Sequence, residues 1–76
     1  GADVNTRDDE HFTPLHFASA YGHTDIAALL IQHGAGANAL DMSRPPLIPL
    51  HYASGNGHAG VVELLIRHDV RRTLVL

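Results

Sequence analysis

Seven histidines and the acidic run Asp8-Asp9-Glu10 are the residues of this 76-residue chain best equipped for chemistry. Histidine binds zinc and relays protons, and neighbouring carboxylates serve as general acid and base or as calcium ligands. Spacing argues against each use. No His-x-x-x-His or His-Glu-x-x-His pair occurs, and there is no cysteine to complete a thiolate site. Four of the histidines fall instead into two copies of one arrangement: Leu15-His16-Phe17-Ala18-Ser19-Ala20-Tyr21-Gly22-His23 returns further along the chain as Leu50-His51-Tyr52-Ala53-Ser54-Gly55-Asn56-Gly57-His58. Packed helices lie about 8–10 Å apart, whereas zinc holds its nitrogens at about 2.0–2.1 Å, so equivalent histidines of successive units do not comfortably share one ion. The expected metal set and cofactor set are therefore empty. The acidic run lies outside any apolar pattern that would bury it, so it reads as a solvated turn. The glycines punctuate turns, with no phosphate-binding loop or nucleophile elbow among them. No catalytic residue is assigned, and the chain is not expected to be an enzyme.

The elements that position these histidines are paired short helices, present twice. Thr13 is a capping residue and Pro14 suits the first helical position, where no amide donor is needed. Leu15, Ala18 and Ser19 then share a face until Gly22 ends the helix. A second helix is expected to be capped by Thr24, with Asp25 at the positive end of its dipole and Ile26, Leu29, Leu30 and His33 as its apolar stripe before Gly34. Ala35 to Asp41, containing Gly36 and Asn38, reads as an extended, hairpin-like link. Pro49, Leu50, Ala53 and Ser54, then Val61, Leu64, Leu65 and His68, repeat the scheme.

Thr13-Pro14-Leu15-His16, Ala18, Gly22-His23, Leu29-Leu30, Gly34-Ala35 and Asn38 together resemble the ankyrin repeat. The resemblance implies an all-α repeat solenoid: stacked helix-turn-helix units joined by projecting β-hairpin fingers. It also implies that His16 and His51 are hydrogen-bonding struts between neighbouring turns and that His23 and His58 shape the interhelical turns. Pro49, Leu50 and Gly57 repeat the motif roles of Pro14, Leu15 and Gly22. His11, His33 and His68 read as surface or helix-end residues. Residues 1–7 look like the end of a preceding repeat, since Gly1 is separated from Gly34 by the same interval that separates Asn5 from Asn38. A repeat over 8–40 and a second over 41–70 follow, with 71–76 as a tail.

Three departures from the pattern stand out. The interval from Asp8 to Asp41 matches that repeat length, but the interval from His16 to His51 is longer by two, which places a two-residue insertion between Asp41 and Ile48. Ile48 replaces the capping threonine. Asp69-Val70 replaces the Gly-Ala that should close the last helix. Repeats bury their apolar faces only against neighbours, and end units need polar outer faces. The sequence is therefore expected to belong to a longer array, or to have its ends covered by flanking repeats, self-association or a partner.

Charge is uneven. Residues 1–41 carry one arginine against six acids, and residues 42–76 carry four arginines against two acids, giving −5 and +2. Five arginines and no lysine supply no basic stripe for nucleic acid. No apolar run approaches the roughly 20 residues of a membrane helix, and no signal-peptide pattern is present. An intracellular setting, cytoplasmic or nuclear, is expected. By the resemblance, a protein partner would meet finger tips and the exposed face of the short helices: Arg7, Asp9, Glu10, Phe12 and Tyr21 in the first unit, and Met42, Arg44, Leu47 and Asn56 in the second. Phe12 and Tyr21 are the expected aromatic anchors. An alternative role is a structural segment packed mainly on flanking repeats or on another copy. A further alternative is a substrate for an asparaginyl hydroxylase at Asn38.

Overall fold

The structure, a computed structural model, describes residues 4–75, and side-chain surroundings through His68. Four helices follow one another: α1 (Pro14–Tyr21), α2 (Thr24–Gln32), α3 (Pro49–Gly55) and α4 (Ala59–Val75). Helix α1 packs on α2 and α3 on α4 within each unit. Across units, α1 packs on α3 and α2 on α4, so the two hairpins form a stack. The core between them is built from Leu15, Ala18, Ala27, Ala35, Ala37, Ala53, Val61 and Leu65. Five of these eight are alanines, and the three within helices, Ala18, Ala27 and Ala53, let the helix backbones approach closely. Burying so little aliphatic surface makes each larger member count.

The start of α1 shows how the motif works. Thr13 is extended, with φ −97° and ψ 165°, and its hydroxyl accepts from His16 N. His16 Nδ1 accepts in return from Thr13 N at 3.1 Å, so a histidine takes the place glutamate usually holds in a capping box. At the other end, Gly22 adopts φ 75° and His23 N donates to Ala18 O at 2.9 Å. Helix α3 begins with the same backbone, φ −99° and ψ 164° at Ile48, but isoleucine offers no acceptor. Only the returning bond from Ile48 N to His51 Nδ1, 3.0 Å, is kept.

Two expectations need correction. Thr24 is the first residue of α2 rather than its cap; His23 precedes the helix and makes no side-chain cap. The expected buried stripe of α2 is largely exposed at Ile26, Leu29 and His33, and the buried line instead runs through Ala27 with Leu30 and Ile31 partly covered. A helix in a stack has neighbours on several sides, so one apolar stripe does not identify its buried face. Helix α4 runs on through residues 71–75 of the segment read as a tail, and residue 76 lies outside the described residues. Gly34 turns with φ 92° after α2, and the corresponding position 69 has no glycine to make that turn.

The fingers are hairpin turns without any strand among the described residues. In the first, Asp8 N donates to Phe12 O at 3.0 Å, and Asp8 Oδ1 accepts from Glu10 N and Phe12 N, each at 2.9 Å. In the second, Asp41 N donates to Leu47 O at 3.1 Å, and Asp41 Oδ1 accepts from Ser43 N and Leu47 N, each at 2.9 Å. The closing residues are four apart in one finger and six in the other, so both inserted residues lie within the turn. That turn contains a cis Arg44–Pro45 bond.

Candidate functional site

Two bonds through histidine rings fix how the units sit on each other. His16 is fully buried, and its Nε2 donates to Leu47 O of the second finger at 3.1 Å. Because Nδ1 accepts from Thr13 N, the ring is the neutral tautomer carrying its proton on Nε2. In the reverse direction, His58 Nε2 donates to Ala20 O at 3.0 Å, and Asn56 Nδ2 reaches the same carbonyl at 2.9 Å. A Cβ at Gly22 would stand 2.5 Å from the His58 ring, so this glycine is required both for φ 75° and for the close approach. His51 and His23, the counterparts of these struts, are exposed. The other motif residues, Pro14, Leu15, Pro49, Leu50 and Gly57, lie in the short helices and the second interhelical turn.

Between the two fingers lies a crevice of about 300 Å³ lined by Glu10, Phe12, Asp41, Met42, Ser43 and Tyr52. Met42 N donates to Glu10 O at 3.0 Å and pins one finger to the other. The floor is aromatic. The Phe12 ring centroid lies 4.9 Å from His16 in a stacked arrangement and 4.8 and 5.0 Å from Phe17 and Tyr52 edge-on. Phe12 is therefore half-buried and anchored, whereas Asp9, Glu10, Met42 and Arg44 are exposed at the finger tips.

Asp41, with its partner Tyr52, is a group in this crevice to which the sequence reading assigned no role. Its side chain is buried, and Oδ2 accepts from the Tyr52 hydroxyl and from Ser43 Oγ. Burial by itself would raise its pKa. The Tyr52 hydroxyl and then the Leu47 and Ser43 donors outweigh that effect and hold the carboxyl well below the usual carboxylate range. Burial, reinforced by the Asp41 carboxylate, pushes the Tyr52 phenol up and keeps it a donor. The available signal was an aspartate recurring at the repeat interval, as Asp8 and then Asp41, each time ahead of a turn, together with a tyrosine where the first unit has Phe17.

A second depression, about 510 Å³, lies on the outer side of the first unit. It brings together Arg7, Phe12 and Tyr21 with Phe17, Ile26 and Leu30. Of the residues read from sequence as partner contacts, Glu10, Phe12 and Met42 thus share the inter-finger crevice, while Arg7 and Tyr21 share the outer groove with Phe12. Leu47 is half-buried as the acceptor for His16, and Asn56 is tied to Ala20. Asn38 is exposed in the link after α2. Its counterpart one repeat earlier, Asn5, bridges Gly34 O at 3.2 Å and Gly36 N at 2.8 Å.

Among the described residues, no group of three His, Asp or Glu side chains is placed to hold a metal. No helix among them is long and apolar enough to cross a membrane.

Comparison with known proteins agrees with this geometry. A family model described as Ankyrin repeats (3 copies) matches residues 1–74. Alpha-latrocrustotoxin-Lt1a of Latrodectus tredecimguttatus is 57% identical over 37 residues, covering 49% of this chain and 3% of the toxin. Ankyrin repeat domain-containing protein 49 of Bos taurus is 51% identical over 37 residues, covering 49% of this chain and 16% of that protein. Protein fem-1 homolog C of Homo sapiens is 46% identical over 44 residues, covering 58% of this chain and 7% of that protein. The chain therefore spans a small part of each relative's length. With the family match extending over nearly all its residues and the helix-turn-helix motif present twice, the chain belongs to the ankyrin repeat family, whose members serve generally as non-catalytic protein-interaction modules.

Proposed function

We propose that this chain binds a protein partner without catalysing a reaction, and that the contact is made by the two fingers and the short-helix surface between them. The observation that carries this reading is the inter-finger crevice. It has an aromatic floor at Phe12 and Tyr52, exposed polar and apolar side chains at Glu10 and Met42, and a backbone bond that fixes its width. Preorganisation of that kind lowers the ordering cost of binding. Asp9 and Arg44 at the tips supply opposite charges that set orientation. Phe12 acts as floor more than as a projecting anchor, because its ring is enclosed by His16, Phe17 and Tyr52.

Peptides selected from a display library on the immobilised chain test the site. The Glu10→Ala/Met42→Ala double variant removes two exposed side chains and no core contact. It should weaken selected peptides at least tenfold while leaving the far-ultraviolet circular dichroism unchanged. Undiminished affinity would move the contact away from the fingers.

A further inference from the structure

Differences between the two units converge on the inter-finger crevice. Asp41 follows Asp8 at the repeat interval, but Asp8 is exposed and Asp41 is buried. Tyr52 stands where unit one has Phe17, and its hydroxyl donates to Asp41 Oδ2. The longer second finger brings Ser43 to the same oxygen, with Oγ donating at 3.0 Å. Asp8 closes the first finger through backbone donors alone, so the Tyr52 and Ser43 hydroxyls are additions that the turn itself does not require.

The crevice is negatively charged, and no cation among the described residues offsets it. Every donor to Asp41 is neutral: Ser43 N and Leu47 N on Oδ1, the Tyr52 hydroxyl and Ser43 Oγ on Oδ2. Glu10, exposed on the facing finger, lines the same space. Burial first, and then the charges of Asp41 and Glu10, push the Tyr52 phenol up, so the two fields overlap there. The one ion pair among the described residues, Arg67–Glu63, lies on α4 and neutralises neither carboxylate. A buried anion without a countercharge is costly and favours a cation beside it. The rest of the lining suits the same ligand. The Phe12 and Tyr52 rings meet at 77° with centroids 5.0 Å apart, and Met42 adds a polarizable thioether. Four bonds occupy the acceptor sites of Asp41, which leaves its charge in the crevice and Glu10 as the carboxylate free to accept. A planar, weakly hydrated guanidinium that stacks on rings and accepts a fork from one carboxylate fits this set better than a strongly hydrated ammonium.

We propose that the crevice receives an arginine side chain of the protein partner, its methylene stem along Phe12 and Met42 and its guanidinium between the Glu10 carboxylate and the Tyr52–Asp41 pair. This rests on partner binding by the fingers and adds the chemistry of the group that is bound. Glu10 accepts directly from the guanidinium, Asp41 supplies charge from below, and Tyr52 both holds Asp41 in place and offers its ring. The space of about 300 Å³ has room for one long side chain.

A blocked Gly-Gly-Arg-Gly-Gly peptide, titrated into the isotope-labelled chain and followed by backbone amide shifts, tests the proposal. It should move Glu10, Phe12, Met42, Ser43 and Tyr52 saturably. Citrulline in place of the arginine keeps the shape and removes the charge, and should weaken binding about tenfold. Lysine should bind about threefold more weakly than arginine; a lysine peptide that binds equally well overturns the choice of guanidinium. Glu10→Gln changes an exposed side chain, so the fold is kept and is checked by circular dichroism. That variant should weaken the arginine peptide about fivefold and leave the citrulline peptide unchanged; equal effects on both overturn the role of Glu10. Failure here is distinct from failure of finger binding. Library-selected peptides that shift the same residues while the arginine peptide does not, or while citrulline matches arginine, overturn the arginine site alone.

Discussion

At the scale of single residues, the finger turns concentrate the features that neither periodicity nor composition exposes. His11 occupies the left-handed region with φ 61°, the one described non-glycine residue with positive φ. It does so because His11 N bonds Asp8 O at 2.9 Å and Phe12 O must then return to Asp8 N. A left-handed side chain costs about 1–2 kcal/mol, part of which glycine's extra freedom in the unfolded chain takes back. His11→Gly should accordingly raise stability by about 0.5–1 kcal/mol in urea denaturation; a loss would show that the imidazole itself makes a contact worth more than the strain. Asp41 sets the other residue-scale expectation. Its folded pKa is depressed, so the stability it adds is complete above the ordinary carboxylate value of about 4 and is lost as pH falls below it. Tyr52→Phe, which copies Phe17 of the first unit, should cost about 1–3 kcal/mol near neutrality. The gap from wild type should narrow as the pH is lowered from 4 towards 2. A gap independent of pH would detach the phenol from the carboxylate.

At the scale of elements, the two units serve as controls for each other. Thr13 and Ile48 share one backbone geometry and differ in the presence of a side-chain acceptor. Ile48→Thr should add about 0.5–2 kcal/mol, read as a higher urea midpoint; no change would mean that the His51 half of the box already suffices. Gly22 and Gly57 share φ 75°, but only Gly22 faces a histidine ring. Both alanine variants should suffer the strain of positive φ, and Gly22→Ala should be the more destabilised of the two. Equal losses would place His58 away from Gly22. The helices and their order were legible because caps, Pro14, Pro49 and the glycine stops act locally. Which face each helix buries was less legible. Ile26 and Val61 hold equivalent positions, yet one is exposed and the other enclosed, because burial in a stack depends on what lies above and below. The continuation of α4 through Val75 follows from a missing stop, a signal that marks where a helix fails to end but not how far it runs.

At the scale of the whole molecule, the candidate surface divides between an inter-finger crevice and an outer groove. Of the motif residues read from spacing, His16 and His58 bond across the two units, whereas their counterparts His51 and His23 are exposed. The crevice was readable in part: Glu10, Phe12 and Met42 were identified, but Asp41 and Tyr52, which shape it, were not, because their bond joins a turn to a helix 11 residues away. Tyr21, expected with Phe12 as an aromatic anchor on the short-helix face, lies in the outer groove with Ile26. In the proposed function, partner recognition resides in the fingers, apart from the faces along which units stack. Backbone amide chemical shifts recorded while a selected peptide is titrated into the labelled chain test it most directly. The largest changes should fall on residues 9–12, 42–47 and 52, with residues 21–30 unmoved; changes centred on residues 21–30 would place recognition outside the fingers.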